Sequence, residues 1–410
     1  MKPAKHKFTV LKQVCELIPR NLVPSLAKKY SIKSRSFSPW SHVVSLVHCQ
    51  LAHSLSLNDI CDSLQTHSGS LTPLRGATAP SKNGLSHANR TRNADMAEEL
   101  FWSCLEHLKS LEPNFGLEHN CSGIPYRFKR TIHVVDSTTI KLFANCLDWA
   151  KHRRRKAAAK CHMRLDLQSF LPSFALIKSA GSHDSTEAKE LCASIKAGEI
   201  VVFDKAYVDY KHLSHLDKRD VFWVSRSKSN MAYKVMGQHA KTKGSILRDD
   251  RIILSIENSQ KFYPKEMRLV EAIVKVDGKE KAMTFISNNF SWAASSIADL
   301  YKSRWQIEVF FKQMKQTLQL SDFIGHNENA VKWQVWTALL SYILLRFISY
   351  RAKWQSSFRR LFTIIRASLF DRREIYSVLK FCGTAYRKSR INASPQQAYF
   401  PGFLETIPDG

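Results

Sequence analysis

Apolar and polar positions divide the chain before any chemistry is considered. Up to about residue 126, apolar residues recur at three- and four-residue steps without clear alternation, which predicts a helical leading region. Residues 41–53 have the spacing of an amphipathic helix, and Ser56 is placed to cap a second in which Leu57, Ile60 and Leu64 line one face. Two short helices joined by a tight turn fit a helix-turn-helix DNA reader and fit ordinary bundle members equally well. The basic residues Arg75, Lys82, Arg90 and Arg92 just downstream would serve the first alternative.

Beyond Arg130 the period shortens to two. Apolar runs at 131–135, 163–167, 173–178, 199–203 and 221–225 predict strands, and 185–195 and 208–216 between the later ones predict helices. Three strands, then helix, strand, helix, strand is the order of a ribonuclease H-like sheet, a meander followed by parallel strands on helical crossovers. From about 228 to 289 the pattern is β-rich, with a strand at 252–256 and a hairpin in which Asp277 and Gly278 turn 269–276 back into 282–287. Helical spacing returns at 292–318 and again from about 325. The stretch 331–350 is the most apolar of these, but Lys332, Gln334 and Arg346 interrupt it and leave an uncharged centre shorter than a bilayer, so it predicts a buried helix.

The expected class is therefore α/β: a ribonuclease H-like mixed sheet flanked by helices, with a β-rich insertion and helical N- and C-terminal domains. The expected division is a helical DNA-binding region at 1–127, the core in two parts at 128–227 and 290–325, the insertion at 228–289 and a helical region at 326–410.

Composition narrows the partner. Hydrophobic residues make up 44% and aromatics 11%, enough for several packed layers, while 62 Lys and Arg against 35 Asp and Glu leave a net charge of +27. Such an excess repels itself unless a polyanion offsets it, so nucleic acid is the natural partner; a basic protein without charged ligand, or one drawn to acidic membranes, is the plainer alternative. Nine cysteines are scattered without a C-x-x-C pair, which disfavours zinc clusters and disulfide frameworks and fits buried thiols in a reducing cytoplasm. The opening MKPAKHKFTV has no apolar signal core, and a cytoplasmic, nucleoid-associated protein is expected.

HVVDSTTIKL puts Asp136 at the end of an apolar strand and IVVFDKAY puts Asp204 at the end of another, so two carboxylates would lie side by side at the rim of the sheet. A lone Asp there is usually a turn cap, but adjacent carboxylates repel unless a divalent cation neutralises them. YKSRWQIEVFFKQMK spaces Tyr301, Arg304, Glu308 and Lys315 within an arc of about 60°, and Ile307, Phe310, Met314 and Leu318 form a separate apolar set. The plain reading is a solvated row with Arg304 and Glu308 paired at i,i+4. The alternative is convergence of Asp136, Asp204 and Glu308 on two Mg²⁺ ions about 4 Å apart, with Mn²⁺ as a substitute, activating a water or 3′-hydroxyl for phosphodiester displacement. Arg304 and Lys315 would then grip phosphate oxygens, and Tyr301 would position one by its hydroxyl. The run His152, Arg153, Arg154, Arg155 and Lys156, with Lys160 beyond, is either a solvated loop or a clamp on a DNA backbone near Asp136. Asp184 and Glu187 suit a helix start, and Asp166 and Asp209 read as structural.

The spacing Tyr, two residues, Arg, three, Glu, six, Lys resembles the signature of insertion-sequence DDE transposases, and matches it at every place. HVVDSTTIKL, WAKHRRRKAAAK, LPSFALIKSAGSHD, IVVFDKAYVDY and LYKSRWQIEVFFKQMKQTL look like blocks of that family in the same order, and SLSLNDICDSL and LSHANRTRN resemble its leading domain. The resemblance implies a cut-and-paste enzyme that nicks at terminal inverted repeats, frees a 3′-hydroxyl and joins it to target DNA, working as a homodimer on DNA. It carries Asp136, Asp204 and Glu308 over as metal ligands, Tyr301, Arg304 and Lys315 as DNA contacts, and a β-rich insertion between the second and third acids. Relatives that form a hairpin intermediate stack a flipped base on a Trp; Trp292 is the nearest candidate here and equally a core aromatic at a helix start. A nuclease with the same metal core but no strand transfer, and an inactive DNA-binding remnant, are the competing readings. The intact acids and basic row speak against the remnant.

Overall fold

In this computed structural model, residues 2–116, 127–142, 151–153, 156–179, 184–276, 279–318 and 323–382 are described. Ten strands form one mixed sheet: β1 (Ile132–Leu142), β2 (Lys151–Arg153), β3 (Lys156–Asp166), β4 (Leu171–Ser179), β5 (Ile200–Phe203), β6 (Phe222–Arg226), β7 (Tyr233–Gln238), β8 (Ile246–Leu254), β9 (Met267–Val276) and β10 (Lys279–Ser287). The order is β2-β3-β1-β5-β6-β10-β9-β8-β7, and β4 also pairs with β3, along the edge away from β1. The five core strands β4-β3-β1-β5-β6 have the antiparallel meander followed by parallel neighbours that the sequence predicts. The β-rich segment continues the same sheet, because β10 pairs antiparallel with β6 through Ser287↔Val224 and Phe285↔Arg226. Lys279 lies opposite Val276 in the expected hairpin, whose turn residues Asp277 and Gly278 fall outside the described residues.

Two differences from the predicted strands matter for the site. First, β1 does not stop at Val135. It runs on to Leu142, paired with β3 down to Leu142↔Ala157, because an antiparallel partner remains after the parallel partner β5 has ended at Phe203. Second, β2 and the first half of β3 form where only a basic loop is expected; a paired neighbour overrides the poor strand preference of Lys and Ala.

Helices cover both faces. The N-terminal set is α1 (Val10–Cys15), α2 (Leu22–Lys29), α3 (Pro39–Ala52), α4 (Leu57–Thr66), α5 (Ser68–Leu71), α6 (Lys82–Thr91) and α7 (Asp95–Leu111). The crossover helices α8 (Asp184–Leu191) and α9 (Tyr210–Lys218), with α10 (Glu257–Phe262), lie on one face of the sheet. On the other lie α11 (Ala294–Ser303), α12 (Trp305–Thr317), α13 (Glu328–Arg351), α14 (Phe358–Ala367) and α15 (Ile375–Cys382), together with the N-terminal set.

The stretch predicted as a buried helix is α13, capped by Asn327 and buried from Val331 to Leu345 on all sides except at Lys332. It packs on α3, α6, α7, α12 and α14. Its Trp333 indole donates to the Arg92 carbonyl (2.7 Å), and its Tyr342 hydroxyl donates to the Phe170 carbonyl between β3 and β4 (3.0 Å). One helix thus joins the N-terminal bundle to the sheet. No helix among the described residues is long and apolar enough to cross a membrane.

α3 is not the amphipathic helix its spacing suggests: every residue from Trp40 to Leu51 is buried, because α13, with α1, α2, α4 and α14, packs around it and covers what would have been its polar face. Ser56 does cap α4, in a reciprocal box with Asp59. The outward side of α4 carries Asn58, Asp59, Asp62 and Gln65. Arg75 and Arg92 are turned inward, donating to the carbonyls of Ile18 and Ser38 and stacking over Trp40 and Phe37.

Arg268 on β9 and Asp249 on β8 form a two-pronged ion pair (2.7 and 2.8 Å) in which both side chains are 2% exposed. Arg268→Ala would leave a buried carboxylate without its partner, and is expected to lower stability by about 3–5 kcal/mol in equilibrium urea unfolding. A loss below about 1 kcal/mol would refute that role.

Candidate active site

Strand alternation brings the first two acids to one face. Ile132, Val134 and Asp136 alternate on β1, and Ile200 and Val202 lead to Asp204 beyond β5. Ile132, Val134, Ile200 and Val202 all belong to the core shared with α11 and α12, whereas Val135, Val201 and Phe203 belong to the opposite one. With Val135 level with Phe203, Asp136 and Asp204 are the next residues on neighbouring strands, facing the helices that carry the third acid.

The signature row spans two helices, not one. Arg304 ends α11 and starts α12, and the tight bonds from Arg304 N–H to the Tyr301 carbonyl and from Ile307 N–H to the Arg304 carbonyl (3.0 Å each) mark the joint. Tyr301 is therefore on the last turn of α11, while Glu308 and Lys315 are on α12. The apolar set predicted for α12 is buried as Ile307, Phe310, Met314 and Leu318.

Arg304 sits at the centre. Its Nη1 donates to Asp136 Oδ2, and its Nη2 donates to Glu308 Oε1 at 2.7 Å. The Tyr301 hydroxyl donates to Asp204 Oδ1 at 3.0 Å, and the Ser137 amide donates to Asp136 Oδ1 at 2.8 Å. All three acids are thus gathered by one Arg–Tyr pair from the α11–α12 joint. Lys315 reaches the second half of β1, donating to the Thr139 carbonyl at 2.9 Å.

Electrostatics records the crowding. Burial pushes the Asp136 carboxyl up to about 6, Arg304 and the Ser137 amide pull it back, and the negative charges of Asp204 and Glu308 add to the rise. Burial likewise lifts the Tyr301 phenol to about 12, with help from the Asp204 charge. The Arg304 guanidinium is held above its ordinary value: burial opposes this, but the charge of Asp136, with Tyr301 and Glu308, prevails.

Among the described residues no three acid, His or Cys side chains already close around one point. The place between Asp136 and Glu308 is taken by the positive charge of Arg304. The donor set fits a hard divalent cation, since it offers carboxylate oxygens and no thiol or imidazole, and a pocket that gathers three carboxylates around a cationic group already has the required charge.

The remaining candidates separate. Arg154 and Arg155 lie outside the described residues, and of Arg153 only the backbone, in β2, is described. Asp209 caps α9 by accepting from the His212 amide (2.8 Å), and Asp166 accepts from the Gln168 amide (2.8 Å) in the turn after β3, so both are structural. Trp292 is packed edge-on against Phe128 and tilted against Phe222, in the wall of a cleft of about 580 Å³ lined also by Arg127, Lys129 and Arg130. Arg130 precedes β1 and Phe222 begins β6, so this cleft is at the end of the sheet away from the acids. Trp305 was not singled out by its sequence pattern, yet its indole is 52% exposed next to Arg304 and one turn from Glu308. Its signal was an aromatic on the polar side of a helix start.

A model of the family described as transposase DDE domain matches residues 127–344, and one described as a domain of unknown function matches residues 6–74. A putative transposase, y4zB, of Sinorhizobium fredii is 30% identical over 273 residues, covering 66% of this chain and 75% of that protein. A probable transposase for insertion sequence element IS5377 of Geobacillus stearothermophilus is 29% identical over 234 residues, 56% of this chain and 60% of its own length. Among solved structures, a piggyBac transposase synaptic complex with hairpin DNA aligns with 95% of this chain and 85% of its own at a TM-score of 0.44 and 10% identity.

The charge arrangement predicts opposite shifts in two variants of the metal-free protein. Arg304→Gln removes the cation that favours the Asp136 carboxylate and should move its titration above about 6; Asp204→Asn removes a repelling charge and should move it below. Carboxyl-carbon NMR titration reads both. Shifts of the same sign would show that Asp136 does not sense the two groups as placed.

Proposed function

Given that the chain belongs to the transposase DDE-domain family, we propose that it catalyses divalent-metal-dependent cleavage of DNA at the ends of an insertion sequence and joins the freed 3′-hydroxyl to target DNA. The observation that carries this reading is the gathering of Asp136, Asp204 and Glu308 around Arg304 and Tyr301. Carboxylates brought together from residues 136, 204 and 308 are expensive to hold unless something uses their combined charge.

Asp136, Asp204 and Glu308 are the residues to hold Mg²⁺, or Mn²⁺ in its place. When bound, the metal would supply Lewis-acid activation of the attacking oxygen and charge stabilisation at the leaving oxygen. Arg304 keeps the acids neutralised in the metal-free protein and offers a planar set of donors to a phosphate group. Tyr301 holds Asp204 in place with a hydroxyl that burial keeps protonated, so it acts as a donor, not a base. Lys315 and the exposed indole of Trp305 extend the same edge, the first toward a backbone phosphate and the second as a face for a base. The net charge of +27 supports a double-stranded DNA partner, with two copies of the chain holding paired ends, in a bacterial cytoplasm.

Asp136→Asn is expected to abolish Mg²⁺-dependent nicking of a duplex bearing the element end, while leaving binding of that duplex within a few-fold of the parent. Cleavage at the parent rate would reject the assigned role. Products separate the two chemistries: strand-joined species in addition to nicks support transfer, and nicks alone support the nuclease reading. Replacing Arg153, Arg154 and Arg155 together by Ala is expected to weaken duplex binding and reduce the slope of log affinity against log salt by about two to three, as for the loss of three phosphate contacts. An unchanged slope would return that segment to solvent.

A further inference from the structure

The ladder between β1 and β5 ends at Val135↔Phe203, one residue before the acids. No strand pairing between β1 and β5 therefore holds Asp204 level with Asp136. The chain leaves β5 in a single 3₁₀ turn, Lys205–Tyr207, closed by the Tyr207 amide donating to the Asp204 carbonyl at 2.9 Å. On the β6 side, the Ser225 hydroxyl donates to the Phe203 carbonyl at 3.0 Å. On the β1 side the connection is a side-chain one: the Tyr207 hydroxyl and His162 Nδ1 share a hydrogen bond of 3.1 Å, with both side chains almost completely buried.

The position of that bond is informative. His162 is on β3, level with Ser137, and β3 is separated from β5 by β1. Asp136 and its cross-strand neighbour Met163 point to the α12 face, so Ser137 and His162 point to the other, where Tyr207 packs among Val135, Phe203 and Leu213. The bond thus runs beneath β1 from the turn that carries Asp204 to the strand beside Asp136. It braces the two acids from the reverse face of the sheet, at the level where backbone pairing between them has ceased.

We infer that Tyr207 and His162 are positioning residues that set the separation of Asp136 and Asp204 through this buried hydrogen bond, and so set the affinity of the pair for a divalent cation. The inference rests on the metal-binding reading proposed above. Neither side chain touches the acids' oxygens in the described contacts; each acts through the backbone it anchors. A buried Tyr–His bond supporting two ligands is the kind of outer contact whose loss typically weakens metal affinity by 10- to 100-fold.

The test is Mn²⁺ binding by the full chain without DNA, followed by electron paramagnetic resonance. Tyr207→Phe keeps the ring in the core and removes only the hydroxyl, and His162→Leu removes the partner. Each is expected to weaken Mn²⁺ binding about 10-fold, with thermal unfolding displaced by only a few degrees. His162→Asn places an amide group near the position of Nδ1 and should restore affinity to within about three-fold of the parent. If the two residues act through one bond, the Tyr207→Phe/His162→Leu double variant is no weaker than either single variant. Parent-like binding by Tyr207→Phe, additive losses in the double variant, or failure of His162→Asn to recover affinity would each overturn the brace. Should Asp136→Asn bind Mn²⁺ as the parent does, the metal-binding reading itself falls, and the brace with it; that outcome is distinct from a parent that responds to Asp136→Asn but not to Tyr207→Phe.

Discussion

Like charges held at close range are the constraint to which the residues around the site answer. Asp136 and Asp204 each come one residue after the last paired residues of two apolar strands, and Glu308 comes in from a helix above them. Left alone, three carboxylates in a half-buried cleft would drive one another apart or take up protons. The Asp136 carboxyl is raised, chiefly by burial with a smaller push from Asp204 and Glu308, and Arg304 restrains it. The surrounding architecture keeps these groups together: β5 ends just before Asp204, the α11–α12 joint falls at Arg304, and Phe310 of α12 packs against Tyr342 of α13, ring centres 5.0 Å apart.

That last contact shows why the fold is not simply a catalytic sheet with helical additions. Tyr342 belongs to α13, which is also the core of the N-terminal bundle through Trp333, Trp336 and the buried face of α3. The same rigid rod therefore supports the helix carrying Glu308 and the elements nearest the chain start. The β-rich segment is similarly continuous with the core strands through β10 and β6.

Much of this was legible in the amino-acid order. The alternating runs ending in Asp136 and Asp204 gave the core strands and their sequence of connections, because buried parallel strands need uninterrupted apolar residues. The 331–350 stretch gave α13, and Ser56 gave the cap of α4. What escaped depends on partners distant along the chain. The continuation of β1 through Ser137–Leu142 and the strand character of Lys156–Ala159 exist because each supplies the other with hydrogen bonds, and the Lys-Ala-Ala-Ala segment has little strand preference alone. The break at Arg304 has no Gly or Pro to announce it. The inward turn of Arg75 and Arg92 was hidden for the same reason: a guanidinium reads as surface charge until the carbonyls it satisfies are in view. Within the site, the acids and the Tyr301, Arg304 and Lys315 spacing could be picked out from the sequence, whereas the Tyr207–His162 contact, linking residues 45 positions apart, could not.

The shared role of α13 has a bearing on how such a gene can decay. A reading frame interrupted before residue 328 would lose the rod against which α3, α6 and α7 are packed, and would expose their apolar surfaces to water. A chain ending there keeps the buried sides of those helices but not the helix that covers them. For a molecule built this way, the first half of the chain depends for its packing on a helix encoded near the end of the second.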